Sequence, residues 1–135
     1  MNPLHRDIAR CSRVAVYGTL KRGFHNHYWL AGASLLGHDR LSSITLYDLG
    51  PYPGAKRERS NGAIVEVYAI NAEQLALLDQ LEGYFVDAPS DGLYDRTVLT
   101  TQHGEAWCYL YNAPVNEGWR LKQGEWKQST LADSY

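Results

Sequence analysis

The sequence predicts an α+β fold in which one helix packs on a strongly curved mixed or antiparallel sheet. Short β-branched or aromatic runs recur along the 135 residues, and two of them are followed directly by glycine. This pattern predicts about six short strands. Only residues 71–82 combine helical spacing with a start signal and a stop signal. The length suits one domain over residues 1–135, with a core at about 13–126 between an N-terminal and a C-terminal tail.

The strands follow from local composition. Residues 13–17 read RVAVY and precede Gly18, which predicts a buried strand and a sharp turn. The same character predicts further strands at residues 33–41, 43–49, 63–70, 94–101 and 105–111. The last two strands are expected to form a hairpin that turns at His103-Gly104.

The segments between the strands are expected to be largely irregular. Residues 24–30 predict a short helix that ends near Gly32. Residues 50–54 contain two prolines and two glycines, which predicts a rigid loop without regular structure. The basic and polar residues 55–62 are expected to lie in solvent, and residues 84–92 are expected to form a polar connection.

The helix at residues 71–82 has the clearest boundaries. Asn71 can cap its N-terminus, Gln74 lies at the position that completes a capping box, and Gly83 supplies the C-terminal stop. At 100° per residue, its leucines form one arc that is expected to be buried. These leucines are Leu75, Leu78 and Leu81.

Glu82 projects onto the same arc as the leucines. Burial of an unpaired carboxylate is costly or raises its pKa, so an inward Glu82 would be paired, hydrogen-bonded or useful as a proton carrier. Alternatively, Glu82 is simply the last helical residue and points to water, and position alone favours this alternative. Asp79 lies at the flank of the arc and is expected to be solvated.

The turn after the first strand is a second candidate feature. Residues 17–23 read YGTLKRG, and the backbone N–H groups of such a turn can converge on one oxygen or carboxylate. An ordinary glycine turn is the alternative, which the turn alone favours. The turn is not a phosphate-binding loop, because Phe24-His25 stands where Lys-Ser or Lys-Thr is required.

The strand at residues 105–111 has two distinct faces. Trp107, Tyr109 and Tyr111 alternate with smaller apolar residues. The small face is expected to seat the helix, and the aromatic face is expected to line a ligand cavity or to contact another subunit. Cys108, on the small face, is expected to be an inert core thiol.

Composition excludes several other classes. The net charge of −2 and the pI near 6.2 lack the basic footprint of a nucleic-acid binder. The apolar runs are too short to span a membrane, so a cytoplasmic protein is expected. Two cysteines are too few for a disulfide scaffold. The spacing of His25 and His27 is poor for ligation, and neither a metal nor a cofactor is expected.

Several short motifs, taken in order along the chain, resemble the γ-glutamylcyclotransferase-like family, which has the AIG2-like fold. They are Tyr17-Gly18-Thr19-Leu20-Lys21-Arg22-Gly23 with Asn26-His27, Leu81-Glu82-Gly83, and Tyr94-x-Arg96-Thr97-Val98-Leu99. The first and third motifs are similar to the γ-glutamylamine cyclotransferases. The segments Leu46-Tyr47-Asp48-Leu49-Gly50-x-Tyr52-Pro53-Gly54-Ala55 and Ala106-Trp107-x-Tyr109-x-Tyr111 are similar to small bacterial members.

The resemblance implies a small mixed or antiparallel β-barrel with one long helix and short flanking helices. It implies a cavity for a γ-glutamyl group, which is cyclised to 5-oxoproline with release of an amine or amino acid, without metal or cofactor. Glu82 would then be the general acid and base. The implied substrate-binding residues are Tyr17, Gly18, Thr19, Leu20, Tyr94, Tyr109 and Tyr111.

Two other readings remain open at this stage. The same cavity could serve a non-catalytic binding module for an amino-acid-like ligand or a protein partner. The second reading is a homodimer in which the tyrosine and tryptophan rings serve only packing. The sequence leaves the leaving group and the oligomeric state open.

Overall fold

The computed structural model describes residues 3–24 and 26–127. In this part of the chain the structure has two α-helices, seven strands and three short 3-10 helices. The α-helices are α1 (Pro3–Arg10) and α2 (Ala72–Glu82). The strands are β1 (Arg13–Val16), β2 (Ser34–Leu41), β3 (Thr45–Asp48), β4 (Pro53–Lys56), β5 (Ala63–Ala69), β6 (Tyr94–Thr101) and β7 (Gly104–Tyr111). The 3-10 helices are His27–Leu30, Pro89–Asp91 and Glu117–Trp119.

The strands form a mixed sheet and a separate hairpin, which confirms the α+β class. The larger sheet has the order β2-β5-β1-β7-β6, and β3 pairs with β4 alone. Neighbours are antiparallel except for β1 and β7, which run parallel with Val14 opposite Trp107. The expected closed barrel is wrong for the described strands, because β3 and β4 pair with each other and with neither edge strand of the larger sheet.

Helix α2 ends where its sequence predicts. The Asn71 side chain accepts a hydrogen bond from the Gln74 N–H at 2.8 Å, and the Gln74 side chain accepts from the Asn71 N–H at 2.9 Å. Gly83 ends the helix with φ 66°, a left-handed conformation that glycine adopts without strain. With 11 residues, the helix is of average length and not the long helix that was expected.

The faces of β7 are reversed relative to the prediction. Trp107 and Tyr109 pack with Leu75 and Leu78 of α2, whereas Cys108 packs on the opposite side with the β3–β4 hairpin. The buried residues of α2 are Leu75, Leu78 and Asp79, so the large rings of β7 fill the space beside them. Ala106 and Cys108 are small, and they pack with the hairpin on the other face of β7. Trp107 and Tyr109 are buried within the chain and are not available to another subunit.

Residues 50–56 also differ from the prediction. A regular strand, β4, begins at Pro53, where a missing N–H is tolerated because proline stands at the first strand position. A Cβ on Gly54 would lie 2.8 Å from the Tyr111 Cβ, so this strand needs glycine to approach β7. Ala55 is fully buried, so the expectation that residues 55–62 are solvated is wrong at their start.

The N-terminal tail was expected to lie outside the core, but residues 3–10 form α1. Its Asp7 carboxylate lies 2.9 Å from the Arg96 guanidinium of β6, and Cys11 after the helix is buried. Within residues 3–24 and 26–127, no helix has the length and apolar content needed to cross a membrane.

Candidate active site

One cavity of about 310 Å³ brings together most of the predicted site residues. The loop after β1, the start of β4, the end of α2 and strands β6 and β7 form its wall. The predicted residues on this wall are Tyr17, Gly18, Thr19, Leu20, Glu82, Tyr94 and Tyr109. Tyr111 is not on the wall, contrary to expectation: its ring packs edge-on behind Tyr94, with 5.4 Å between ring centroids.

The prediction missed several wall residues. Pro51, Tyr52 and Leu93 reach the cavity from loops that carry no pattern linking them to Glu82. Asn26, also on the wall, stands in one of the family motifs but was given no role. These residues come from segments that are distant along the chain, so only the tertiary structure places them together.

Glu82 lies at the C-terminal end of α2 and presents its carboxyl group to the cavity. The residue is half-buried, and its carboxylate has no hydrogen-bond partner among the residues that the structure describes. Burial, together with the negative charge of Asp79, raises its pKa to about 7. A carboxyl group with this pKa exchanges its proton readily near neutral pH.

Asp79 is buried, so the expectation that it is solvated is wrong. Its carboxylate binds the fully buried Arg96 side chain through Oδ1 to Nε at 2.8 Å and Oδ2 to Nη2 at 3.0 Å. The Tyr109 hydroxyl also donates to Asp79 at 2.7 Å. The guanidinium carbon lies 4.3 Å and 4.4 Å from the ring centroids of Tyr84 and Trp107. Asp79 is therefore fully paired, in contrast to Glu82.

Three of the wall tyrosines, Tyr17, Tyr94 and Tyr109, use their hydroxyl groups within the fold. Tyr17 donates to the Tyr109 carbonyl at 2.8 Å and accepts from the Ala55 N–H at 3.2 Å, and Tyr94 donates to the Pro53 carbonyl at 2.7 Å. Burial raises the pKa of Tyr17, Tyr94 and Tyr109 above the ordinary tyrosine value. These residues remain neutral and shape the cavity mainly with their rings.

The loop after β1 offers free backbone donors. The N–H groups of Gly18, Thr19 and Leu20 donate to no acceptor within residues 3–24 and 26–127. Asn26 holds the loop, because its side chain donates to the Thr19 hydroxyl at 2.9 Å and its N–H donates to the Thr19 carbonyl at 3.0 Å. The loop can thus present fixed donors to a carboxylate or a developing oxyanion.

Residues 14–128 match the family described as "Gamma-glutamyl cyclotransferase, AIG2-like". The chain belongs to this family. The match includes the loop after β1, the end of α2 and the start of β6, which are the motifs that predicted it.

Similar proteins agree with membership of the γ-glutamylcyclotransferase family. The family protein YtfP of Escherichia coli K12 is 37% identical over 115 residues, 84% of this chain and 95% of YtfP. A γ-L-glutamyl-butirosin B γ-glutamyl cyclotransferase of Niallia circulans is 32% identical over 121 residues, 86% of this chain and 76% of the relative. The crystal structure of an AIG2-like protein from Mus musculus has a TM-score of 0.61 and 26% identity, covering 80% of this chain and 81% of that one.

Cys108 and His27 do not line the cavity of this cyclotransferase family member. Burial raises the pKa of the Cys108 thiol to about 12, which agrees with an inert core thiol. The His27 Nδ1 atom is 3.0 Å from the Leu20 carbonyl, and His25 lies outside the described residues. No group of three or more His, Cys, Asp or Glu side chains within residues 3–24 and 26–127 is arranged to hold a metal ion.

Gly18 is needed where the loop after β1 crosses the start of β4. A Cβ at this position would lie 2.7 Å from Pro53 Cγ and 2.8 Å from Cδ, and the proline ring cannot turn away. We expect Gly18→Ala to lower the free energy of unfolding by about 1–3 kcal/mol, as overpacking does. Urea unfolding of Gly18→Ala, Pro53→Ala and the double variant measures the coupling. If the double variant loses as much stability as the two single variants together, no clash occurs between the added Cβ at position 18 and Pro53.

Proposed function

We propose that this protein is an enzyme that cyclises a γ-glutamyl amide or γ-glutamylamine to 5-oxoproline and releases an amine or amino acid. Family membership supports cyclotransferase activity in general. The observation that carries the specific reaction is Glu82, an unpaired carboxyl group on the cavity wall with a pKa of about 7.

In the proposed reaction the substrate is its own nucleophile. The α-amine attacks the γ-carbonyl carbon, a new C–N bond closes the five-membered ring, and the C–N bond to the leaving amine breaks. The α-ammonium loses two protons to become the lactam N–H, and the leaving nitrogen gains two to depart as an ammonium. Glu82 acts first as base and then as acid, so the protons balance without a cofactor.

The rest of the cavity supports this role. The free N–H groups of Gly18, Thr19 and Leu20 would hold the negatively charged oxygens of the substrate or of the tetrahedral intermediate. The rings of Tyr17, Tyr94 and Tyr109 limit the space, which favours the folded conformation in which the amine reaches the carbonyl.

The direct test is detection of 5-oxoproline by mass spectrometry after incubation with a mixed panel of γ-glutamyl amino acids and γ-glutamylamines. We expect 5-oxoproline to appear in step with the loss of at least one substrate. Calorimetric binding of panel members without any 5-oxoproline would instead support a non-catalytic binding module.

The pH dependence of the reaction is a second prediction. Glu82 must be ionised to accept a proton, so kcat/KM is expected to rise with pH and to bend near pH 7, the pKa of this group. Initial rates from about pH 5 to about pH 9 at low substrate concentration measure this limb. A limb near the ordinary glutamate value of 4.5 would show that burial does not tune the base.

A further inference from the structure

The cavity has a buried floor and an open mouth, and the exposure of its wall residues separates the two. Tyr17, Pro53 and Tyr109 are buried at the floor. Pro51 and Leu93 are exposed, and Leu93 keeps 45% of its surface in solvent. Glu82 is half-buried, so it lies between these levels. A substrate whose γ-carbonyl lies at Glu82 with its glutamyl part on the loop after β1 would extend its leaving group toward the mouth.

The exposed residues of the mouth, Pro51 and Leu93, are apolar, and the half-buried Tyr52 and Leu81 carry no charge. The half-buried polar residues Thr19 and Asn26 belong to the loop after β1 and the segment that holds it. The described wall contains no lysine, arginine or histidine, and Glu82 is its only carboxyl group.

The apolar mouth is held in place by backbone hydrogen bonds. The Leu93 N–H donates to the Gly83 carbonyl at 3.0 Å, and the Leu93 carbonyl accepts from the Asn112 N–H at 3.1 Å. Leu93 is therefore fixed relative to Gly83 and to the adjacent Glu82, and its side chain belongs to a defined surface of the cavity.

This arrangement discriminates between leaving groups. A carboxylate on the leaving group would meet no cation in the described wall and would be repelled by ionised Glu82. A second ammonium would pair with Glu82 and compete with its role as a base. An uncharged hydrocarbon chain would bury apolar surface against Leu81 and Leu93 with neither penalty.

Building on the proposed function, we propose that the preferred leaving group is an amine with an uncharged apolar chain, so that the substrate class is γ-glutamyl alkylamides or arylalkylamides. Amino acids and polyamines are then poorer leaving groups for this cavity.

The test compares γ-glutamyl amides that share a four-carbon leaving chain and differ only in its far end. The leaving amines are butylamine, 4-aminobutanoate and 1,4-diaminobutane. We expect kcat/KM for the butylamide to exceed that for either charged substrate by about 10-fold or more. An equal or higher kcat/KM for a charged substrate would overturn the inference.

Variants at Leu93 test the location of the selectivity. Leu93→Lys supplies a cation at the mouth and is expected to raise kcat/KM for the 4-aminobutanoate substrate several-fold relative to the butylamide. The control Leu93→Gln removes the apolar side chain without adding a charge, and it is expected to raise this ratio much less than Leu93→Lys does. The same ratio in both variants would show that the leaving group does not reach Leu93.

Calorimetric measurement of binding distinguishes a failure of this inference from a failure of the proposed reaction. If none of the three amides yields 5-oxoproline, the proposed reaction fails for them, and calorimetry still ranks their Kd values. Tightest binding of the butylamide would support the apolar mouth. Tighter binding of a charged amide, or no binding of the butylamide, would overturn it.

Discussion

Glutamine in place of Glu82 is expected to lower kcat for 5-oxoproline formation by about 100-fold or more, because general acid–base catalysis typically contributes about 10²- to 10⁴-fold. The amide has nearly the same size as the carboxyl group but cannot carry a proton between the two nitrogens at neutral pH. Substrate binding should change much less than kcat, because the loop after β1 is untouched. Single-turnover assays with 5-oxoproline detection, combined with calorimetry, measure both quantities.

Glu73→Gln is the matched control for this substitution. Glu73 lies in the first turn of the same helix, is exposed and lies outside the cavity. The chemical change and the change in charge are identical, so its activity is expected to stay close to that of the unaltered protein. Comparable losses in both variants would argue against a specific role for Glu82.

Glu82→Gln is also expected to stabilise the folded state at alkaline pH. The pKa of Glu82 is raised from 4.5 to about 7, so the folded state favours the protonated form. The stability that protonated Glu82 adds to the folded state is fully present below about pH 4.5, and it is lost as the pH rises through about 7. Glu82→Gln stays neutral and escapes this loss. We expect a gain of about 2 kcal/mol in the free energy of unfolding near pH 8.5 and little change near pH 4. Urea unfolding at both pH values measures the difference.

Arg96→Met is expected to destabilise the protein by about 3–5 kcal/mol, the cost of removing one partner of a buried ion pair. The Arg96 side chain is fully buried and binds both Asp79 and Asp7. Its removal leaves the Asp79 carboxylate without its bidentate partner beneath the cavity. Urea or thermal unfolding near neutral pH measures the loss.

Two comparisons give this prediction its controls. Lys127→Met removes a solvent-exposed partner of Glu125, 3.4 Å away, and is expected to cost less than about 1 kcal/mol. Adding Asp79→Asn to Arg96→Met removes the stranded charge and is expected to recover part of the loss. A loss under about 1 kcal/mol for Arg96→Met alone would mean that the pair contributes little to stability.

The sequence predicted well the features that depend on neighbouring residues. The caps at Asn71 and Gly83 and the strand at β1 act within a few positions, and local patterns encode them. Glu82 was ambiguous from its position alone, and the family motif supported the inward orientation that the structure shows. The burial of Asp79 was missed because its partners Arg96 and Tyr109 lie on other elements.

Contacts between distant segments also explain the remaining errors. The proline and glycine of β4 indicate a loop when read alone, whereas in the fold Gly54 permits close contact with β7. The closed barrel came from resemblance alone, and the pairing of β3 with β4 leaves the described larger sheet open. A local pattern predicted the β6–β7 hairpin, which the structure confirms, but such patterns do not record which strands pair when they are distant along the chain.

The hydrogen bond between the Leu93 N–H and the Gly83 carbonyl closes the intervening loop at its base. A Cβ on Gly92 would lie 2.2 Å from that carbonyl, so the closure requires glycine at this position. Residues 85–91 can consequently vary in length and composition while Glu82 and β6 keep their places, whereas the Tyr84 ring contacts the Arg96 guanidinium. This loop contributes no residue to the cavity wall, so it is an exchangeable module that evolution or engineering can alter without rebuilding the cavity.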